Sequence, residues 1–172
     1  LPFESIDFTN LAIEPRGLRI GLLRDMKVGL PVNAEVASAI TAAAQALQQA
    51  GAIVEKIDSF LTPEMLDGAS KFFEARAYND FNAMSRQQQA KLLPFIAEWC
   101  SYRAEKFSGG DVMAAFGQIF ACREAAVRAT QPFDFLLSPT SPILPYEAEH
   151  ACPGNDPHHA LPHIAFTVPW SL

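Results

Sequence analysis

The strongest constraint on the fold is a strand–helix–strand pattern near the start of the chain. Residues 18–23 form a short apolar run, which predicts a buried strand. Asn33 is a favourable N-cap, and apolar residues then recur at spacings of three and four as far as Ala50, which predicts a helix. Gly51 stands where a helix often ends, and residues 52–57 predict a second strand. Two strands joined by a helix within about 40 residues form a βαβ unit, so parallel strands are expected.

Three more helices and a third strand are predicted downstream. Residues 62–64 (Thr-Pro-Glu) supply a cap, an N1 proline and a first-turn acid, which together open a helix. Another helix is expected over residues 92–107, and the capping-box pattern of residues 108–111 (Ser-Gly-Gly-Asp) predicts the start of a fourth. Residues 133–138 are so apolar that a strand buried on both faces is expected. The fourth helix carries the apolar residues Met113, Phe116, Phe120 and Val127.

The predicted fold class is α/β, a small three-layer unit that is part of a larger fold. We expect a mainly parallel sheet of about three strands, with the first strand in the centre, and about four helices. Residues 1–16 are interpreted as an incoming linker and residues 17–138 as the α/β subdomain. Residues 139–172 form a Pro-rich segment with seven of the thirteen prolines, and we expect it to be a loop that packs on another part of the protein.

Composition narrows the classes of partner. The formal net charge is −6 and the basic residues form no stripe, so neither a nucleic acid nor an anionic membrane surface is an expected partner. No apolar run approaches the roughly 20 residues of a membrane helix, and the first residues do not resemble a signal peptide. Thirteen Phe residues indicate either a large core or an apolar face that another domain should cover, and we expect the isolated chain to self-associate through such a face.

The cysteines indicate a reducing compartment. Cys100, Cys122 and Cys152 are odd in number, are widely spaced and include no CxxC pair. This pattern predicts free thiols and a cytoplasmic protein.

Few residues are candidates for chemistry. Thr140 and Ser141 leave the carboxyl end of the third predicted strand, where α/β proteins contact ligands, but no base lies near them in sequence. Asp25 follows the first strand, and a solvated loop acid is the simpler interpretation. The chain's four histidines lie near Cys152 in a Pro-rich segment, which favours a polar loop over a metal site. We therefore predict no metal and no cofactor.

Three stretches of the chain resemble the amidase signature family. Residues 16–23 (RGLRIGLL), with the following PVNAEV and GAIVE, are similar to the family's "GLRIGV…PVDPEV…LGA-VEEV" run. Residues 133–140 (FDFLLSPT) are similar to "YDLLLTPT", and residues 166–172 (FTVPWSL) are similar to "FTAPFNL". The three occur in the family's order and frame nearly the whole chain.

The resemblance implies hydrolysis of a carboxamide C–N bond by a Ser–Ser–Lys triad. In the family, backbone N–H groups of a loop similar to GGSSGGS stabilise the oxyanion. This chain contains no Ser-Ser pair and no such loop, so we assign no catalytic residue to it. The chain is expected to be a fragment of an amidase that is inactive alone, with the catalytic part of its parent chain and a small amide substrate as partners. Thr140 and Ser141 are expected to form one wall of the substrate pocket.

Two other functions stay open at the level of sequence. One is a stand-alone α/β module that binds a small molecule or a protein, although a receiver-type module would require clustered acids beside Asp25. The other, within the same family, is the amidase-like subunit of a tRNA-dependent amidotransferase.

Overall fold

The computed structural model of the protein describes residues 12–171. Residues 1–11 of the predicted linker, and Leu172, lie outside the described residues. Among residues 12–171, no helix is both long enough and apolar enough to cross a membrane.

A three-stranded parallel sheet forms the centre of the fold. The strands are β1 (Arg19–Leu22), β2 (Ile53–Lys56) and β3 (Phe135–Leu137), and their order in the sheet is β2-β1-β3. Both pairings are parallel, with Ile20 opposite Val54 on one side and Phe135 on the other. The predicted α/β class, the parallel strands and the central position of the first strand are confirmed.

The described part of the chain contains four helices of at least eight residues, as predicted. They are α1 (Ala34–Gln49), α2 (Pro63–Ala83), α4 (Pro94–Ser101) and α5 (Gly109–Thr130). Two shorter helices, α3 (Arg86–Gln89) and α6 (Val168–Ser171), accompany them. Single 3₁₀ turns occur at Ala104–Lys106, Pro153–Asn155, Pro157–His159 and Pro162–Ile164. The helix predicted over residues 92–107 is therefore shorter than expected and ends in a 3₁₀ turn.

Side-chain caps fix the starts of the long helices where the sequence predicts them. Asn33 accepts a hydrogen bond from the Glu35 amide at the start of α1, and Thr62 accepts one from the Met65 amide at the start of α2. At α5, Ser108 and Asp111 form a reciprocal capping box.

The core lies between the sheet and the helices α2, α5 and α6. Leu23, Met26 and Cys122 are completely buried there, together with Phe166 and Val168 near the end of the chain. On the other face of the sheet, α1 packs against β2. The three predicted layers are thus α1, the sheet, and the layer of α2, α5 and α6.

The third strand is not buried on both faces within this chain, contrary to the prediction. Phe135 is 52% exposed, because β3 lies at the edge of the sheet and α1 packs against the opposite edge strand, β2. An apolar edge strand of this kind leaves hydrophobic surface uncovered.

The Pro-rich segment is more ordered than a loop. It contains three of the 3₁₀ turns and α6, and each of those turns begins at a proline. Pro142 and Cys152 are among the most deeply buried side chains, and Phe166 and Val168 belong to the core. This segment therefore packs on the α/β subdomain of its own chain.

Candidate functional site

A cavity of about 340 Å³ lies between α2, α4 and the Pro-rich segment. The loop of residues 27–29, which follows β1, closes one side, so the cavity is on the carboxyl side of the parallel sheet. Ligands of α/β proteins commonly bind on that side. The α2 residues that face the cavity are Pro63, Leu66, Asp67, Ser70 and Glu74.

An ion pair with a buried carboxylate lines this cavity. Glu74 is only 3% exposed, and both of its carboxylate oxygens accept hydrogen bonds from Arg103. The distances are 2.5 Å from Nε of Arg103 to Oε2 and 2.8 Å from Nη2 to Oε1. Bidentate geometry of this kind is what makes a buried carboxylate tolerable. The bonds to Glu74 also raise the pKa of Arg103 above its ordinary value.

An aromatic stack joins α4 to the Pro-rich segment. The rings of Tyr102 and His158 are 4.6 Å apart and nearly parallel. Nε2 of His158 lies 3.0 Å from a carboxylate oxygen of Glu98, one turn earlier in the chain than Tyr102. Burial raises the pKa of Tyr102, and the negative charge of Glu74 raises it further, so its hydroxyl remains protonated near neutral pH.

Gly29 secures the loop that closes the cavity. Its φ is +78°, and a Cβ at this position would lie 2.3 Å from the carbonyl oxygen of Pro162. The next amide, of Leu30, donates to that same carbonyl at 3.2 Å. Only glycine allows this approach, so the loop after β1 and the Pro-rich segment are held together at this point.

Asp25 has a local structural role. Its carboxylate accepts hydrogen bonds from the amide and the ammonium group of Lys27, and these bonds lower the pKa of Asp25. The solvated-loop interpretation of this acid is consistent with that geometry.

Thr140 and Ser141 lie outside the cavity. They follow β3 at the carboxyl end of the sheet, where Thr140 is exposed and Ser141 is half-buried. The Ser141 hydroxyl accepts a weak hydrogen bond of 3.4 Å from the Ile143 amide. The adjacent carbonyl of Pro142 accepts a 2.7 Å bond from the Asn33 amide, which ties this turn to the start of α1.

The histidines form separate pairs instead of one cluster. Each of His150, His158 and His159 contacts a different carboxylate, and His163 is partly buried near Tyr146. Within residues 12–171, no group of three His, Cys, Asp or Glu side chains is placed to hold a metal ion. All three cysteines are buried, and none of them is paired.

Among the described residues that line the cavity, no serine hydroxyl is hydrogen-bonded to a side-chain base. The Ser70 hydroxyl, which faces the cavity, donates to the Leu66 carbonyl of its own helix at 3.0 Å. Glu74 and Arg103 are not among the residues that the sequence patterns indicate. The only hint of a buried acid was that Glu74 follows two phenylalanines on α2. Its partner, Arg103, is 29 residues away in the sequence.

Solved structures with a similar fold include two kinds of hydrolytic enzyme. A bacterial aryl acylamidase of the amidase signature family matches 78% of this chain with a TM-score of 0.65 and 22% identity. Two structures of 6-aminohexanoate cyclic dimer hydrolase, one complexed with substrate, match 98% of the chain at 20% identity, with TM-scores of 0.74 and 0.70. No protein-family model and no curated protein matches the sequence. The chain therefore has the α/β fold of a part of these enzymes, and it spans 29% of the acylamidase and 39% of the hydrolase.

Proposed function

We propose that this chain is part of an amidase that hydrolyses a carboxamide C–N bond, and that it supplies scaffold to the active site. The observation that carries the proposal is the fold match over 98% of this chain to only 39% of 6-aminohexanoate cyclic dimer hydrolase. The sequence stretches similar to the amidase signature family support the same conclusion. A Ser–Ser–Lys triad would come from the rest of the parent chain, which is the proposed partner.

Within this function, Thr140 and Ser141 form one wall of the substrate pocket. Their position at the carboxyl end of β3 and the exposure of Thr140 support this role. We also place the protein in the cytoplasm, and its three free, buried cysteines support a reducing environment.

The test compares the 172-residue chain with its parent protein on simple aryl and aliphatic amides. The parent is expected to release the amine, and the chain alone is expected to show no turnover. An unassisted serine hydroxyl is a poor nucleophile, and each missing oxyanion donor typically costs about 100- to 1000-fold in rate.

Two serine variants test whether the chain alone contains a nucleophile. Turnover by the chain alone that survives Ser138→Ala but disappears with Ser141→Ala would place a nucleophile inside this chain and overturn the proposal. In the parent, Thr140→Val is expected to raise KM about three- to tenfold with little change in kcat, as for one lost hydrogen bond to the substrate.

A further inference from the structure

Two polar atoms in the wall of the cavity between α2, α4 and the Pro-rich segment lie close together without bonding to each other. Arg103 uses Nε and Nη2 on Glu74, and Oδ2 of Asp67 is 2.7 Å from the Lys71 ammonium. The remaining atoms, Nη1 of Arg103 and Oδ1 of Asp67, are 3.6 Å apart, which is too long for a hydrogen bond. The cavity wall therefore offers one donor and one acceptor side by side.

A donor beside an acceptor recognises a ligand that has the same pair in reverse. Such a ligand carries an N–H next to a C=O, so that it donates to Asp67 Oδ1 and accepts from Arg103 Nη1 at once. Proteins use paired bonds of this kind to recognise the edges of bases, which are rich in adjacent donors and acceptors.

Aromatic side chains at the end of α4 favour a flat ligand. Trp99 and Tyr102 both line the cavity, and Tyr102 is held by the stacked ring of His158 and by the Arg103 guanidinium, 5.6 Å from its centroid. Ring contacts stabilise beyond simple burial. Because the Tyr102 ring is already fixed, a planar ligand loses little free energy to the ordering of this wall.

Size and charge restrict the ligand to a small, neutral ring. The volume of about 340 Å³ is at the lower end of the roughly 300–1,000 Å³ typical of ligand pockets, which favours a single ring over a nucleotide. Lys27 is bonded to Asp25 and Arg103 to Glu74, so a phosphate would lose its hydration without gaining an unpaired lysine or arginine among the described lining residues. The net charge of −6 likewise disfavours a polynucleotide.

We propose that this cavity binds a free pyrimidinone base, a planar, neutral single ring that carries an N–H next to a C=O. Trp99 contacts the ring, Asp67 Oδ1 accepts from its N–H and Arg103 Nη1 donates to its carbonyl. Thr140 and Ser141 do not line this cavity, so the base is a ligand distinct from the amide that the parent hydrolyses. The inference does not rest on the proposed amidase function.

The test is calorimetric titration of the intact protein with three compounds. Uracil is planar and has both N–H groups, 1,3-dimethyluracil is planar but has neither, and 5,6-dihydrouracil keeps both but is not flat. Uracil is expected to bind saturably. The dimethyl compound is expected to bind at least about tenfold more weakly, because it leaves Asp67 Oδ1 without a donor. Dihydrouracil is expected to bind about three- to tenfold more weakly, because its puckered ring makes poorer contact with Trp99.

Substitutions locate the binding within the molecule. Asp67→Ala is expected to weaken uracil binding about tenfold and to leave 1,3-dimethyluracil unchanged, so the protein no longer distinguishes the two compounds. The matched control is Asp80→Ala, which removes an exposed acid of the same helix outside the cavity. Trp99→Leu is expected to weaken uracil about three- to tenfold, with the other tryptophan, Trp170, substituted by Leu as its control. Both controls are expected to bind like the unsubstituted protein, and thermal melts by circular dichroism verify that each variant is folded.

Three results would overturn the inference. The first is the absence of saturable uracil binding. The second is binding of 1,3-dimethyluracil or dihydrouracil as tightly as uracil, which needs no variant and so does not depend on the folding of one. The third is an equal effect of Asp67→Ala and Asp80→Ala, or of the two tryptophan variants, which would place the bound base elsewhere on the protein.

Discussion

At the scale of single residues, Glu74 has the largest predicted effect on stability. Glu74→Ala leaves Arg103 without its bidentate partner, and we expect the free energy of unfolding to fall by about 2–4 kcal/mol. Urea denaturation followed by circular dichroism measures the loss. The control is Glu124→Ala, which removes an exposed i,i+4 pair with Arg128 and is expected to change stability by less than about 0.5 kcal/mol. Equal denaturation midpoints for the two variants would contradict the structural role of Glu74.

His163 gives stability a dependence on pH. Burial lowers the pKa of His163 below its ordinary value of 6.5, outweighing the opposite effect of the Ala160 backbone. As pH falls through 6.5, the unfolded chain takes up a proton before the folded chain does, so stability declines on acidification and is full above that pH. When the pH is lowered from neutral to below 6.5, the free energy of unfolding is expected to fall less for His163→Phe than for the unsubstituted protein. Urea denaturation midpoints at each pH measure the difference.

The control for His163 is His159→Gln. His159 is an exposed histidine whose side chain is 77% accessible and contacts Asp156. This variant is expected to keep the steeper acid dependence of the unsubstituted protein. A decline with pH that is the same in His163→Phe and in the unsubstituted protein would assign it to other groups.

Sequence patterns predict residues whose partners are local and miss those whose partners are distant. Asn33, Thr62 and Ser108 were identified as caps because each bonds an amide two or three residues away. Glu74 was missed because a single acid on a helix is usually solvated, and its partner Arg103 is contributed by a separate element.

At the scale of elements, two glycines in the middle of helices should respond oppositely to alanine. In α2, a Cβ on Gly68 would lie 2.4 Å from Cβ of Gln118 on α5, so Gly68→Ala is expected to destabilise by about 1–3 kcal/mol. In α5, a Cβ on Gly117 has nothing within 4 Å, and Gly117→Ala is expected to stabilise by about 0.5–1 kcal/mol. Thermal denaturation of both variants tests the pair. A stabilising Gly68→Ala would show that α2 and α5 are not so closely packed.

The face that α5 buries was not predictable from apolar periodicity alone. The large residues Met113, Phe116, Phe120 and Val127 are exposed, whereas the buried ones are Ala115, Ile119, Cys122 and Ala126. Close approach to Gly68 and Ala69 of α2 requires small side chains, and a hydrophobicity pattern does not record that requirement. The strand order was predictable because a βαβ connection restricts the topology to few alternatives.

At the scale of the whole molecule, the cavity is assembled from four segments that are far apart in sequence. The loop after β1, α2, α4 and the Pro-rich segment each contribute one side. The close approach of Gly29 to Pro162 and the packing of Met26 and Phe166 in the same core bring the first and last of these together. A site of this kind depends on tertiary packing, so the sequence could indicate the carboxyl edge of the sheet but not the cavity beside α2.

The large side chains that α5 exposes predict self-association of the isolated chain. Phe120 is 56% exposed and packs edge-on against Phe116, which in turn contacts Phe72, so several rings form one apolar surface. Burying a phenylalanine stabilises by about 1.5–3 kcal/mol, so Phe120→Glu should weaken association by about tenfold or more. Sedimentation velocity over a concentration series measures it, with Ala114→Glu, at an exposed position on another side of α5, as the equally charged control. Because Ala114 does not belong to the apolar surface, the control should associate as the unsubstituted chain does. A chain that remains monomeric at high concentration, or a Phe120→Glu variant that associates unchanged, would show that this face of α5 does not drive association.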